Sequence, residues 1–307
     1  MADHSFGRRS PFVSTRLAIL SCLLWSTAFV GIKIGLRYSP PFSFAGQRFM
    51  LAGLLLVPFW WRQASFAVVR ENLPLILKVS FFQTFLLYGL FYLGITMVSG
   101  ALAAIIIGTA PLITAVLAHF CMENEAMTGP KLLSLLLGVA GVALISLSRE
   151  PWASPEGLRA VGGIVLLLLS TIASGFGNVL VARDKVRIDP VLLNSLQIFL
   201  GGFVLFLVSL PLEGLPRFPL PLPYYGALFW LALLSAAAFS LWFVLLKDPA
   251  VSVSRLNLWK FIIPVGGAFL SWTLLPDESP SPAPVFGMIM IAVAIVAYSL
   301  ADGGRPA

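Results

Sequence analysis

Charge is what this sequence has least of. Asp, Glu, Lys and Arg make up 11% of its 307 residues, against about 25% in a soluble domain. Acidic charge avoids the long apolar runs altogether: no Asp or Glu lies inside any of them. A relay of carboxylates through a membrane core, as many pumps use, therefore has no candidate here. The two cysteines, Cys22 and Cys121, are too few for a disulfide framework or a thiolate metal site. There is no phosphate-cradling Gly-Lys-Ser loop, no HExxH and no nucleophile elbow. No cofactor, no metal and no direct use of ATP are expected. Lys and Arg outnumber Asp and Glu by 20 to 13, but no basic run is long enough for a nucleic-acid footprint, so no nucleic-acid partner is expected.

What fills the chain instead is apolar. Hydrophobic residues account for 59% of it, and the mean hydropathy is +0.95. A helix needs about 20 apolar residues to cross a bilayer. Ten stretches qualify: 17–36, 42–61, 74–96, 99–120, 131–148, 161–182, 191–211, 224–246, 252–274 and 284–301. The expected fold class is an all-α integral membrane protein. Twelve Lys and Arg residues fall on the side of the N-terminus and five on the other. That bias places both termini in the cytoplasm.

The two halves carry the same marks in the same order. Pro111, Glu125, Ser134 and Gly141 are matched by Pro264, Glu278, Gly287 and Ala294 at an offset of 153. Pro41 precedes Arg48 as Pro190 precedes Gln197, at an offset of 149. The chain thus divides into a cytoplasmic tail at 1–16, a first repeat at 17–148 (helices 1–5) and a second at 161–301 (helices 6–10). Five is an odd number, so two such repeats sit upside down relative to each other. Inverted repeats place a binding site near the midplane and permit alternating access.

Lys260 is the sharpest candidate residue. It lies about eight residues, or roughly 12 Å, into the ninth span, where a charge normally faces a cavity or a partner. Asn257, Lys260 and Pro264 fall on one helical face. Pro264 cannot donate to the carbonyl of Lys260, nor Pro111 to that of Ile107, so a kink and a free acceptor are expected in each helix. The functional reading makes Lys260 a docking point for a carboxylate or other anion; the alternative is a lysine that snorkels to the interface. Arg48 is expected to snorkel or to pair structurally, and Arg255 to anchor at an interface. Thr84, Tyr88 and Tyr92 form one stripe; Trp25 follows Ser21 by four; Phe239, Trp242 and Phe243 form another. These are candidates for an amphipathic wall, with packing as the alternative. Asn178, Asn194 and Gln197 suit either binding or hydrogen bonding between helices. Glu125 and Glu278 are each expected to cap the helix that follows.

The stretch Tyr92–Gly141, with small residues after a short turn, Pro111 within the fourth helix and a Gly-rich fifth helix, resembles the EamA module of the drug/metabolite transporter superfamily. Residues 245–294 resemble it more loosely. Leu24-Trp25-Ser26 looks like the family's Trp-Gly start, and Arg48-Phe49 like its arginine in helix 2. The family's Leu-Gly-Glu is replaced by Glu123-Asn124-Glu125 and Pro276-Asp277-Glu278, and the second-copy arginine is Gln197. The resemblance spans about 17–301. It implies a ten-helix carrier of the bacterial inner membrane that exports small metabolites, amino acids or drugs; with Lys260 as an anion dock, the expected substrates are amino acids or related anionic or zwitterionic compounds. Helices 1, 3, 4, 6, 8 and 9 would line a central cavity, with helices 5 and 10 at the periphery or in dimer contacts. The substrate-binding candidates are Lys260, Asn257, Trp25, Tyr88, Tyr92, Asn178 and Trp242, with Pro111 and Pro264 as helix kinks. The partners expected are a small-molecule substrate and the lipid bilayer, with a homodimer as an option. A non-transporting subunit or sensor would need no polar midplane. An intramembrane enzyme would need a catalytic dyad or metal cluster in the spans, and the sequence shows neither.

Overall fold

The computed structural model describes residues 11–62, 65–121, 127–147, 155–183, 188–216, 218–248, 251 and 253–302. Among these the chain is helical, with no strand. The first span is α1 (Pro11–Ser26) and α2 (Ala28–Gly35), separated at Thr27, and the second is α3 (Pro41–Trp60). A short α4 (Phe66–Glu71) leads into the third, made of α5 (Leu73–Val79), a π-helical stretch Ser80–Leu86 and α6 (Leu87–Met97). The fourth is α7 (Gly100–Ile107) and α8 (Ala110–Cys121), and α9 (Gly129–Leu147) ends the first half. The second half contains α10 (Pro155–Arg183), α11 (Pro190–Glu213) and α12 (Leu222–Leu246). Then come α13 (Val253–Leu258), a 3₁₀ turn Trp259–Phe261, α14 (Ile262–Leu274) and α15 (Pro282–Asp302). Proline opens α3, α10, α11 and α15, where its missing N–H costs nothing.

Seven of these helices are long and apolar enough to cross a membrane: Val13–Gly35, Pro41–Trp60, Leu73–Met97, Gly100–Cys121, Pro155–Arg183, Pro190–Glu213 and Leu222–Leu246. Of the other three expected spans, the fifth and tenth are the helices α9 and α15, of 19 and 21 residues, and the ninth is divided, with Ile262–Leu274 as its longer part. The division has a local cause. Pro264 removes a donor one turn downstream of Lys260, and the chain tightens into the 3₁₀ turn there. The fourth span answers in the same way, breaking at Gly108–Thr109 ahead of Pro111.

Helices of the first half pack against helices of the second through small residues, which let backbones approach closely. A Cβ on Gly46 would lie 2.6 Å from Phe206, and one on Gly202 the same distance from Phe49, so α3 and α11 touch almost backbone to backbone. Ser195 adds a hydroxyl bond of 2.8 Å to the carbonyl of Gly53. Gly94 and Gly163 do the same for α6 and α10, and Gly267 against Ala104 for α14 and α7. Gly141 faces the Gly287 carbonyl and Met290 of α15, so α9 and α15 form their own pair.

Two carboxylates tie the halves at helix starts. Glu213 accepts from the amides of Phe42 and Ser43 at 2.9 and 2.8 Å, capping α3. Glu278 accepts from those of Gly100 and Ala101 at 2.6 and 2.9 Å, capping α7. Sequence position predicts that Glu278 caps the helix that follows it. The segment after α14 instead turns back under the start of α7, where free amides and the helix dipole favour a carboxylate. Glu125 lies outside the described residues, as does the side chain of Arg255.

Candidate functional site

A cavity open on one side lies where the broken helices meet. Trp25, Phe29 and Ile32 line it from the first span, Tyr88 and Phe91 from α6, and Gln83 from the π-helical stretch. Ile107 and Ala110 come from either side of the break in the fourth span, Ser170, Thr171 and Ser174 from α10, and Phe239 from α12. Lys260 and Ile263 close the ninth span's side, and Arg48 reaches in from α3. Aromatic carbon dominates the wall, and it contains two cations and no carboxylate.

Lys260 is 7% exposed. Its ammonium lies 4.8 Å from the ring centre of Trp242 and 5.9 Å from that of Trp25. It has no hydrogen-bond or ion-pair partner among the described residues. Each indole face is worth about 0.5–2 kcal/mol to a cation, whereas removing a lone charge from water costs several kcal/mol. The two rings thus offset only part of the cost. The indole N–H groups of Trp25 and Trp242 are themselves buried without a hydrogen-bond acceptor. Against an ammonium and two unused N–H donors the cavity wall sets one buried acceptor without a partner among the described residues, the Gln83 amide oxygen, so donors outnumber acceptors here.

Arg48 is 1% exposed and differently held. Its Nε donates to the Ser235 hydroxyl at 3.0 Å and its Nη1 to the Tyr92 hydroxyl at 3.1 Å. The guanidinium lies 4.7 Å from the ring centre of Phe49 and 5.6 Å from that of Tyr88. Sequence depth suggested a snorkelling or structurally paired arginine. Snorkelling is ruled out by the burial, and the pairing is with neutral hydroxyls.

Tyr92 therefore serves Arg48, and Trp242 stands behind Trp25, their rings 5.1 Å apart. Asn178 and Asn257 are a layer away. Gln83 donates to Asn178 at 3.5 Å, Asn178 to Asn257 at 3.4 Å, and Asn257 to the Val253 carbonyl at 2.8 Å. A second amide chain runs from Thr84 to Gln197 at 2.7 Å, on to Asn194 at 3.0 Å and to Ser240 at 3.0 Å. Both chains start in the π-helical stretch. Its extra residue turns Gln83 toward Gly177 and Thr84 toward Gly201, so Thr84 leaves the stripe that the spacing assigned it with Tyr88 and Tyr92. The residues that sequence reasoning missed are Gln83, the α10 hydroxyls, Phe29 and Phe91. Only the apolar neighbours of Tyr88 and Trp25 offered a signal. Among the described residues no three His, Cys, Asp or Glu side chains gather as a metal site requires.

Beyond the cavity, on the side of the α6–α7 turn, a group of charged side chains lines a second, open pocket. Lys33 donates to the carbonyls of Ile95 and Val98 at 2.8 and 2.5 Å. Glu278 caps α7 beside it, and Arg37 lies 3.6 Å from Asp277.

Bundled apolar helices around a cavity are the architecture of a multi-pass membrane protein. The sequence profile of the EamA-like transporter family matches residues 15–147 and again 161–300, and the chain belongs to that family. It is 27% identical over 284 residues to the uncharacterized transporter YvbV of Bacillus subtilis (strain 168), covering 92% of this chain and 90% of that one. It is 25% identical over 294 residues to the uncharacterized inner membrane transporter YedA of Escherichia coli (strain K12), covering 89% and 87%. A Chlamydia muridarum protein named as an S-adenosylmethionine/S-adenosylhomocysteine transporter is 22% identical over 277 residues, covering 86% and 85%. One crystal structure superposes with a TM-score of 0.71 at 17% identity, over 96% of this chain and all of that one, which speaks for the fold. The protein is a transporter of the drug/metabolite superfamily.

Proposed function

We propose that this transporter is a secondary exporter of small anionic or zwitterionic metabolites, such as amino acids and their relatives. It works by alternating access between two inverted repeats in an inner membrane, with both termini cytoplasmic. The observation that carries the substrate class is Lys260, a buried ammonium in an aromatic cavity with no hydrogen-bond or ion-pair partner among the described residues. A substrate carboxylate supplies the missing acceptor and offsets part of the desolvation cost. Support for the repeat comes from the helix breaks ahead of Pro111 and Pro264 and from the double match of the family profile. Half-helices meeting at a polar point are how many carriers build a substrate site. The cluster of Lys33, Glu278 and Arg37–Asp277 suits a closed outer gate in this reading.

The test is efflux from proteoliposomes loaded with a broad metabolite mixture and read by mass spectrometry, against vesicles without protein. Compounds that leave through the protein should carry at least one carboxylate or other anionic group. Selective loss of cations or neutral compounds would contradict the reading.

A further inference from the structure

Lys260 accounts for one of the cavity's two positive charges and leaves the other unanswered. Arg48 spends two N–H groups on Ser235 and Tyr92, which hold the guanidinium in place without neutralising it. Its remaining donors have no partner among the described residues, and the group lines the cavity. A chain of rings links the two cations. Lys260 sits by Trp25, whose ring is 5.1 Å from Phe239, which is 6.2 Å from Tyr88, which lies under Arg48. The cations therefore stand at two ends of an aromatic strip. A monoanion at Lys260 leaves Arg48 uncompensated in a poorly polarisable wall, where an unpaired charge is costly.

Resting on the reading of Lys260 as an anion site, we propose that the substrate is a dianion. Its two acidic groups sit at opposite ends of an apolar, ring-bearing body, one group at Lys260 and the other at Arg48. The body lies along Trp25, Phe239 and Tyr88, whose faces and edges take flat or elongated carbon frameworks in offset contact. Hydroxyls rather than carboxylates orient Arg48 because a carboxylate there would cancel the charge that the second acidic group needs.

Matched probes test this in the purified full-length protein. 1,4-Phenylenediacetate carries two carboxylates on one ring, and 4-methylphenylacetate replaces one of them with a methyl group. Aliphatic α,ω-dicarboxylates and monocarboxylates of equal chain length provide a second series. Dissociation constants come from calorimetric titration. Wild-type protein should bind at least one diacid about tenfold or more tighter than its matched monoacid. Arg48→Gln should bring that ratio close to one, and Arg48→Lys, which keeps the charge, should retain part of it. Lys260→Met should weaken both members of the pair, and exposed Arg62→Gln should change neither. Should Arg48→Gln fail to give monodisperse protein, Arg48→Lys and the wild-type ratio still decide the matter. Equal affinity for diacid and monoacid, with Lys260→Met weakening both, would overturn the dianion proposal and leave the anion site standing. Indifference of both probes to Lys260→Met would overturn the two readings together.

Discussion

Arg48 and Lys260 border one cavity, are nearly equally buried and carry the same charge, yet their surroundings are opposite. Arg48 is held at two nitrogens by hydroxyls from α6 and α12 and lies against two rings. Lys260 has two ring faces, with Cys22 nearby, and no hydrogen-bond or ion-pair partner among the described residues. Burial by itself does not say what a charge is for; the partners do. A guanidinium tied to three helices is part of the scaffold as well as of the cavity's field. An ammonium without such a partner stands available to something that comes and goes. Arginine's planar fork suits the first task and lysine's single mobile charge the second.

This contrast is sharpest in stability. Arg48→Met should lower the unfolding free energy by about 1–3 kcal/mol, because Tyr92 loses its buried partner and the stack on Phe49 and Tyr88 is lost. Lys260→Met should leave the melting temperature unchanged or raise it, since it removes a charge that ring faces compensate only in part. Thermal unfolding followed by intrinsic fluorescence compares the two directly, and equal losses would dissolve the distinction. Gly141→Leu is the remote control. A Cβ there already lies 3.0 Å from the Gly287 carbonyl, so overpacking should cost about 1–3 kcal/mol without altering which anions bind. A changed anion preference would mean that α9 borders the path. The smallest effect belongs to Tyr92→Phe, which removes one of the two hydroxyls that hold Arg48. About 1 kcal/mol of stability should go with it, and any preference for diacids should weaken but persist.

The sequence was most readable where chemistry is rare. Prolines at Pro111 and Pro264 in apolar runs announced the two helix breaks, because a missing donor has the same consequence in any surroundings. Lys260 stood out for the same reason. Arg48 did not, since depth counted from a span's end cannot tell a side chain that leans to the interface from one that turns inward to Ser235 and Tyr92. Glu278 was read as a cap for its neighbour, a local rule. Its amides belong to Gly100 and Ala101, far away in sequence and brought close by the packing of α14 on α7. The π-helical register shift at Ser80–Leu86 left no local mark either. Gly177 and Gly201 on other helices make room for Gln83 and Thr84, and such a fit exists only once the bundle has formed. Ten spans were counted by length and apolarity. The ninth is interrupted as a helix, and the 3₁₀ turn beside Lys260 is the reason.

The measurement closest to the central claim compares wild type, Lys260→Met and Lys260→Arg in one flux assay, using an anionic compound that the wild-type protein moves. All three proteins should reconstitute as folded, monodisperse preparations. Lys260→Met should slow transport by at least about tenfold, the scale of losing one buried charge contact, while Lys260→Arg should keep a measurable part of the rate because it keeps the charge. Transport by Lys260→Met at the wild-type rate would show that the ammonium of Lys260 takes no part in holding the substrate, and the account of this cavity would be wrong.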